Sequence, residues 1–169
     1  MRLIIIRHGI AEDKDVWAST GHTDEERPLT DEGRRKMVLN AKGLRRSIDG
    51  IDLLATSPLV RARQTAQIVA DAFKVTRIEA TKALVPDAPM REFVEWLGRH
   101  DDMKVVAAVG HEPHLGTLAT WLMTDIEDSR VDLKKGAACM LEFEGKPESG
   151  AGRLCWSIAP AQLRHMGGE

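Results

Sequence analysis

Residues 1–9 read MRLIIIRHG, in which four consecutive aliphatic side chains, three of them β-branched, are followed by Arg7, His8 and Gly9. An apolar run of this kind predicts a strand that is buried on both faces, as in a parallel sheet covered by helices. Gly9 allows the backbone to turn sharply where the strand ends. Because ligands of open α/β sheets bind beyond the carboxyl ends of the strands, we expect Arg7 and His8 to lie at a functional site.

Strand and helix patterns alternate along the rest of the chain. A buried strand is predicted at residues 53–55, a further strand at 75–79 and the clearest central strand at 105–109. Loosely alternating stretches at 137–143 and 153–158 predict a hairpin or two edge strands. Apolar residues at helical spacing occupy several of the intervening segments. This order predicts an α/β fold, a three-layer α/β/α sandwich around a mostly parallel sheet.

Two segments lack a clear period. Residues 10–28 are polar and predict a long loop, and loops of this length in compact proteins tend to be functional. The residues after Pro160 are predicted to form a frayed tail.

The composition is typical of a globular protein. The 169 residues are 43% hydrophobic and 30% charged, and their length suits a single domain over residues 1–169. The formal charge of −2 gives no indication of nucleic acid or an anionic membrane as a partner. The apolar run from Leu3 to Ile6 is too short for a signal peptide or a membrane span. We therefore expect a cytoplasmic protein, in which Cys139 and Cys155 are reduced core thiols unless neighbouring strands bridge them in a disulfide.

Three predicted strand ends carry side chains that suit a phosphate group. Arg7 and His8 follow the first strand, Ser57 and Arg61 follow the second, and His111 follows the central one. Ser57 is a predicted helix cap, and the unpaired N–H groups at a helix amino terminus attract anions. Arginine forks bind phosphoryl oxygens bidentately and stay charged at any working pH. The sequence therefore predicts a phosphate site where these strand ends converge.

The same residues suggest a covalent mechanism. A neutral imidazole is a competent nucleophile near pH 7, so we expect His8 to attack phosphorus while Arg7 holds the phosphoryl oxygens. His111 would stabilise charge on the transferring group or relay a proton. No metal or other cofactor is expected if the arginines neutralise the phosphoryl charge, and P-loop and dinucleotide patterns are absent from the sequence. His114 lies three residues after His111, but the intervening Pro113 argues against a zinc site.

Four short motifs occur in order along the chain. They read RHG at residues 7–9, LTDEG at 29–33, SPLVRARQTA at 57–66 and VGH at 109–111. Together they resemble the histidine phosphatase superfamily, also called the phosphoglycerate mutase-like family, and four blocks in order are far more specific than one triplet. The resemblance implies a phosphoglycerate mutase-like fold. The short chain and the stretch GHEPHLG at 110–116 are most similar to SixA-type phosphohistidine phosphatases.

The resemblance also implies roles for individual residues, with His8 as the phosphorylated nucleophile. Arg27, just before the second motif, is similar to an arginine that often precedes this motif in SixA-like chains, and we expect it at the substrate rim. The implied site comprises the catalytic residues His8, Arg7, Arg61 and His111, and the substrate-binding residues Arg27, Ser57 and Gly9.

The general acid is the point at which this sequence departs from larger members of the family, which use an acidic residue to protonate the leaving alcohol. Asp87 lies in roughly the corresponding region and Glu112 is adjacent to His111, so both are possible acids. The imidazole of a protein phosphohistidine leaves more easily than an alkoxide, so such a phosphorylated protein is the expected substrate. A small-molecule phosphomonoesterase acting on a phosphate ester, and a non-catalytic phosphate-recognising regulatory module, remain as alternatives.

Overall fold

The structure is a computed structural model that describes residues 1–168. Within those residues six strands form one mixed sheet in the order β3-β2-β4-β1-β5-β6. β1 to β4 run parallel to one another, whereas β5 lies antiparallel to β1 and β6 lies antiparallel to β5. The predicted α/β class with a mostly parallel sheet is therefore confirmed. The strands are β1 (Arg2–Arg7), β2 (Leu53–Thr56), β3 (Ile78–Ala80), β4 (Val105–Gly110), β5 (Ala138–Glu142) and β6 (Arg153–Ile158).

Helices cover both faces of this sheet. They are α1 (Lys14–Ser19), α2 (Asp31–Leu44), α3 (Val60–Phe73), α4 (Met90–Gly98), α5 (His114–Thr124) and α6 (Pro160–Gly167), with short 3-10 turns at Asp24–Glu26 and Lys82–Leu84. Side chains of α2, α3 and α6 pack against one face, and those of α4 and α5 pack against the other. None of the described helices combines the length and the apolar character that crossing a membrane requires.

The apolar run of β1 contributes to both cores at once. Leu3 and Ile5 pack on the α4–α5 side, whereas Ile4 and Ile6 pack on the α2–α3 side, and all four are at most 1% exposed. This alternation follows from the period of two along a strand. Burial on both faces fixes the register of β1 against β4, because a slip of one residue would exchange the two core faces.

Residues 10–28 are more ordered than the predicted loop. The Asp13 side chain accepts the backbone N–H groups of Asp15 and Val16, both at 3.0 Å, and so caps α1. Thr23 and Glu26 form a capping box around the following 3-10 turn. The polar residues that obscure the period of this segment are therefore the ones that give it local structure.

The predicted frayed tail is wrong, because the last described residues form α6 against α2. A side chain at Gly43 would collide with the backbone carbonyl of Leu163, so the glycine allows the two helices to approach closely. Leu163 is the one buried residue of α6, so the sequence of this segment shows no apolar period that would predict a helix.

The two cysteines differ in environment. Cys139 of β5 is buried, and burial raises the pKa of its thiol to about 12, whereas Cys155 of β6 is exposed. Both thiols are free, and Ser157 rather than Cys155 lies opposite Cys139 in the ladder. The prediction of two core thiols is correct for Cys139 and wrong for Cys155.

Candidate active site

Parallel strand pairing brings the two predicted catalytic histidines together. Arg7 is paired with Gly110 at the carboxyl ends of β1 and β4, so the next residues of the two strands, His8 and His111, are neighbours. Their ring centroids lie 5.1 Å apart, and the two side chains are 5% and 2% exposed. The expected convergence of strand ends therefore produces a buried pair of imidazoles.

The hydrogen bond made by His8 identifies its tautomer. Its Nδ1 lies 2.7 Å from the carbonyl oxygen of Gly9, and a carbonyl can only accept, so Nδ1 carries the proton. Nε2 is therefore left with a free lone pair. The pKa of His8 is lowered to about 3, mainly by burial, with smaller contributions from the charges of Arg61 and Arg7. The ring is neutral at pH 7, which is the form that can act as a nucleophile.

Ser57 orients the second histidine. Its Oγ lies 2.8 Å from Nε2 of His111, whereas Nδ1 of His111 is buried without a hydrogen-bond partner among residues 1–168. Burial is the main cause that lowers the pKa of His111 to about 3, with smaller contributions from His8 and Arg61. Ser57 is not the helix cap that the sequence predicts, because α3 begins at Val60. The Ser57 hydroxyl group forms a hydrogen bond with the imidazole of His111 instead.

Both arginines have spare, buried hydrogen-bond donors. Nη1 of Arg7 donates to the carbonyl of Leu133 at 2.7 Å, and Arg61 donates through Nη1 and Nη2 to Asp24. The Nε atoms of Arg7 and Arg61 are buried and meet no acceptor in the part of the chain that the structure describes. A buried, unpaired donor on a cation is costly, and a phosphoryl oxygen is an acceptor that would satisfy it.

Asp24 is the residue at this site that the sequence did not reveal. Its Oδ2 accepts from Nη2 of Arg61 at 2.9 Å and its Oδ1 accepts from Nε of Arg27 at 2.8 Å, so one carboxylate joins both guanidinium groups. Partial burial acts to raise the pKa of Asp24, but the hydrogen bond from Arg27 and the charge of Arg61 outweigh it and lower the pKa. The spacing of three residues between Asp24 and Arg27 across a tight turn is the one signal in the sequence that could have indicated the pair.

Arg27 lies at the rim of this group, where the sequence places it. Its Nη1 donates to the carbonyl of Glu12 at 2.7 Å, and its charge contributes to the lowered pKa of His8. The N–H of Gly9 donates to Oγ1 of Thr65 at 3.0 Å, which fixes the turn directly after His8.

We predict that Asp24→Asn lowers kcat/KM for an aryl phosphate about tenfold or more, the effect of losing a charge-assisted hydrogen bond. The amide keeps the shape of the carboxylate but loses the charge that aligns Arg61 and Arg27. Steady-state kinetics would test this, with Asp15→Asn in the same segment as a matched control because Asp15 is exposed. Activity of Asp24→Asn equal to or above that of the control would contradict the prediction.

Neither of the two possible acids, Glu112 and Asp87, is placed as a free carboxyl group beside His8. Both carboxylate oxygens of Glu112 accept backbone N–H groups, from Leu133 at 3.0 Å and from Gly116 at 3.2 Å, and burial raises its pKa despite these bonds. Asp87 is exposed and lines a separate cavity of about 570 Å³ together with His114. The structure therefore does not bring Asp87 into the group around His8. No cluster of three or more metal-ligating side chains is found among the residues described.

The lowered pKa values of His8 and His111 predict acid sensitivity of the fold. The ordinary pKa of histidine is 6.5, against about 3 for both rings in the folded protein. Between these values the unfolded chain binds more protons than the folded one, so the free energy of unfolding falls as the pH falls below about 6.5. We expect His111→Asn to reduce the loss in melting temperature between pH 7 and pH 5. His165→Asn, at an exposed position, is the control, and equal losses in the two variants would contradict the prediction.

Known proteins share sequence and fold with this chain. Residues 3–85 match the model of the histidine phosphatase superfamily (branch 1). An uncharacterised protein of Picosynechococcus is 35% identical over 157 residues, covering 91% of this chain and 88% of that protein. Phosphohistidine phosphatase SixA of Escherichia coli is 26% identical over 167 residues, covering 97% of each chain. The solved structure of the protein histidine phosphatase SixA with tungstate matches with a TM-score of 0.82 and 26% identity, covering 96% of this chain and 99% of that one.

Proposed function

This chain belongs to the histidine phosphatase superfamily and is a phosphatase, and on that basis we propose that it removes the phosphoryl group from phosphohistidine on another protein. The proposal has two parts, the identity of the nucleophile and the identity of the substrate. The first is supported by the environment of His8, and the second by the carboxyl groups that surround it.

The reaction takes two steps. Nε2 of His8 attacks phosphorus, the P–N bond of the substrate breaks, and its electron pair goes to the departing imidazole, which takes up a proton from solvent. Water then attacks the phosphorus on His8, the P–Nε2 bond breaks, and inorganic phosphate leaves while a proton goes to solvent. The spare donors of Arg7 and Arg61 hold the phosphoryl oxygens through both steps, and His111 lies beside the transferring group.

The hydrogen bonds and positions of the nearby carboxyl groups support the substrate assignment, because none of these groups is placed as a general acid. Asp24 is held as an anion by two arginines, both oxygens of Glu112 accept backbone N–H groups, and Asp87 is exposed beside a different cavity. A poor leaving group such as a serine alkoxide requires a positioned acid, whereas the imidazole of phosphohistidine departs without one. SixA of Escherichia coli is named as a phosphohistidine phosphatase, and its likeness to this chain supports the same assignment.

The proposed setting is the cytoplasm. Cys155 is an exposed free thiol on an edge strand, and such thiols persist in a reducing compartment. The proposed partner is therefore a cytoplasmic protein that carries phosphohistidine.

The substrate assignment is tested by comparing a phosphohistidine peptide, the same peptide with phosphoserine, and an alkyl phosphate. We expect kcat/KM to be at least about 100-fold higher for phosphohistidine, because only that substrate avoids the need for an acid. His8→Ala and a reaction without enzyme measure the spontaneous hydrolysis that must be subtracted. Faster hydrolysis of a sugar phosphate would instead favour the small-molecule phosphomonoesterase, and tight binding without phosphate release would favour the regulatory module.

A further inference from the structure

A second, positively charged cavity adjoins the phosphate pocket. It has a volume of about 440 Å³ and shares Arg7 and Gly9 with the site described above. Among residues 1–168 its lining contains five cationic side chains and no carboxylate, although the whole chain has a formal charge of −2. The cations of this basic cavity are Arg7, Lys36, Lys134, Lys135 and Arg164.

Two of these lysines lie on a turn that is fastened to the catalytic strand. The N–H of Leu133 donates to Glu112, and its carbonyl accepts from Nη1 of Arg7, so both backbone groups before the lysines are held. After the lysines, the N–H of Gly136 lies 3.2 Å from the carbonyl of Arg7 and 3.1 Å from that of His8. Lys134 and Lys135 are therefore exposed side chains at a fixed position beside the nucleophile.

The acidic residues near the basic cavity neutralise only part of its charge. Glu32 pairs with Lys36 at 2.5 Å and also lies close enough to Arg164 for the two charges to interact. The charge of Arg7 acts on Glu112 in the same way. Asp13 lies near enough to Lys135 for that charge to add to the lowered pKa of Asp13, which arises mainly from the backbone N–H groups that the carboxylate accepts. No ion pair of Lys134 is found among residues 1–168. The cavity thus keeps an excess of positive charge at the edge of the phosphate pocket.

We propose that the basic cavity binds an acidic segment of the partner protein, next to the phosphohistidine that His8 attacks. This inference rests on the proposed function and names the chemistry of the partner. Because His8 is 5% exposed, the phosphohistidine must enter the pocket while the residues around it stay on the surface. Carboxylates on those residues meet the lysines of the turn, which steers the encounter and selects acidic partners over neutral ones.

Two phosphohistidine peptides that differ only in their flanking residues test this inference, one with Asp and Glu and the other with Asn and Gln. We expect the wild-type protein to prefer the acidic peptide about tenfold in kcat/KM at low salt, mainly through KM, because several exposed ion pairs act together. Raising the salt concentration reduces the preference. The ratio between the two peptides cancels any effect of a substitution on the chemical step.

The double variant Lys134→Glu/Lys135→Glu is expected to lose or reverse this preference. The control variant Lys104→Glu/Lys146→Glu makes the same charge change at two other exposed positions. Lys104 directly precedes β4, at the end of the sheet opposite the site. We expect this control to keep the preference for the acidic peptide.

Equal rates for the two peptides in the wild type, or an unchanged preference in the first variant, would overturn the inference and leave the proposed function intact. Loss of binding to anionic vesicles in the first variant, without any peptide preference, would also overturn it. Hydrolysis of an aryl phosphate with neither peptide cleaved would overturn the proposed function and the inference together.

Discussion

His8→Ala reduces turnover of both an aryl phosphate and a phosphohistidine peptide by at least about 10³-fold, since removal of a covalent nucleophile commonly costs more than that. The reason is local. Nε2 of His8 carries a lone pair that no hydrogen bond occupies, because the proton of the ring lies on Nδ1. The imidazole of His8 is neutral because its pKa is lowered to about 3, mainly by burial. Phosphate release under saturating substrate is the measurement.

Because His8 is buried, the experiment needs a control for folding. His8→Asn retains a polar side chain and has the same kinetic expectation, and the melting temperatures of both variants report whether the fold is intact. His165→Ala, at an exposed position, keeps wild-type turnover. Retention of more than about a tenth of wild-type activity by a folded His8 variant would exclude this residue as the nucleophile.

Arg61→Lys lowers kcat/KM about 100-fold, the loss that follows removal of one preorganised donor from a transition-state site. Arg61 donates through Nη1 and Nη2 to Asp24, and its buried Nε has no acceptor among the described residues, which leaves it available for the proposed bond to the phosphoryl group. A lysine ammonium is a point charge without this fork, so it cannot hold the carboxylate and the phosphoryl oxygens in the same geometry. The inhibition constant of inorganic phosphate should rise as well.

Arg63→Lys is the matched control, because Arg63 is exposed two residues along the same helix. Its kcat/KM stays within about twofold of wild type, as expected for a surface substitution. Equal kinetics in Arg61→Lys and Arg63→Lys would show that Arg61 does not bind the phosphoryl group.

The sheet and the convergence of the site could be predicted because they follow from local patterns. The apolar run before Arg7 predicts a buried strand with Arg7 and His8 at its carboxyl end, and the observed pairing of β1 with β4 then brings His8 beside His111. The resemblance to the histidine phosphatase superfamily is confirmed, whereas the roles of individual residues stay predictions.

Other features depend on contacts that carry no period in the sequence. Asp24 reaches Arg61 across 37 positions from within a polar segment, and only the folded chain shows which arginine it meets. The engagement of Glu112 depends on backbone N–H groups, whose positions the identity of a residue does not reveal. Helix α6 was missed because it is short and Leu163 is its one buried residue, so no apolar period marks it in the sequence.

The most direct test of the account is to trap the covalent intermediate. The wild-type protein is mixed rapidly with excess aryl phosphate, quenched, digested and analysed by mass spectrometry. We predict an alkali-stable, acid-labile phosphoryl group in near-stoichiometric amount on Nε2 of His8, because Nδ1 carries the proton shared with Gly9. Phosphate on another residue, or turnover with no phosphorylated protein at any quench time, would contradict the central role of His8.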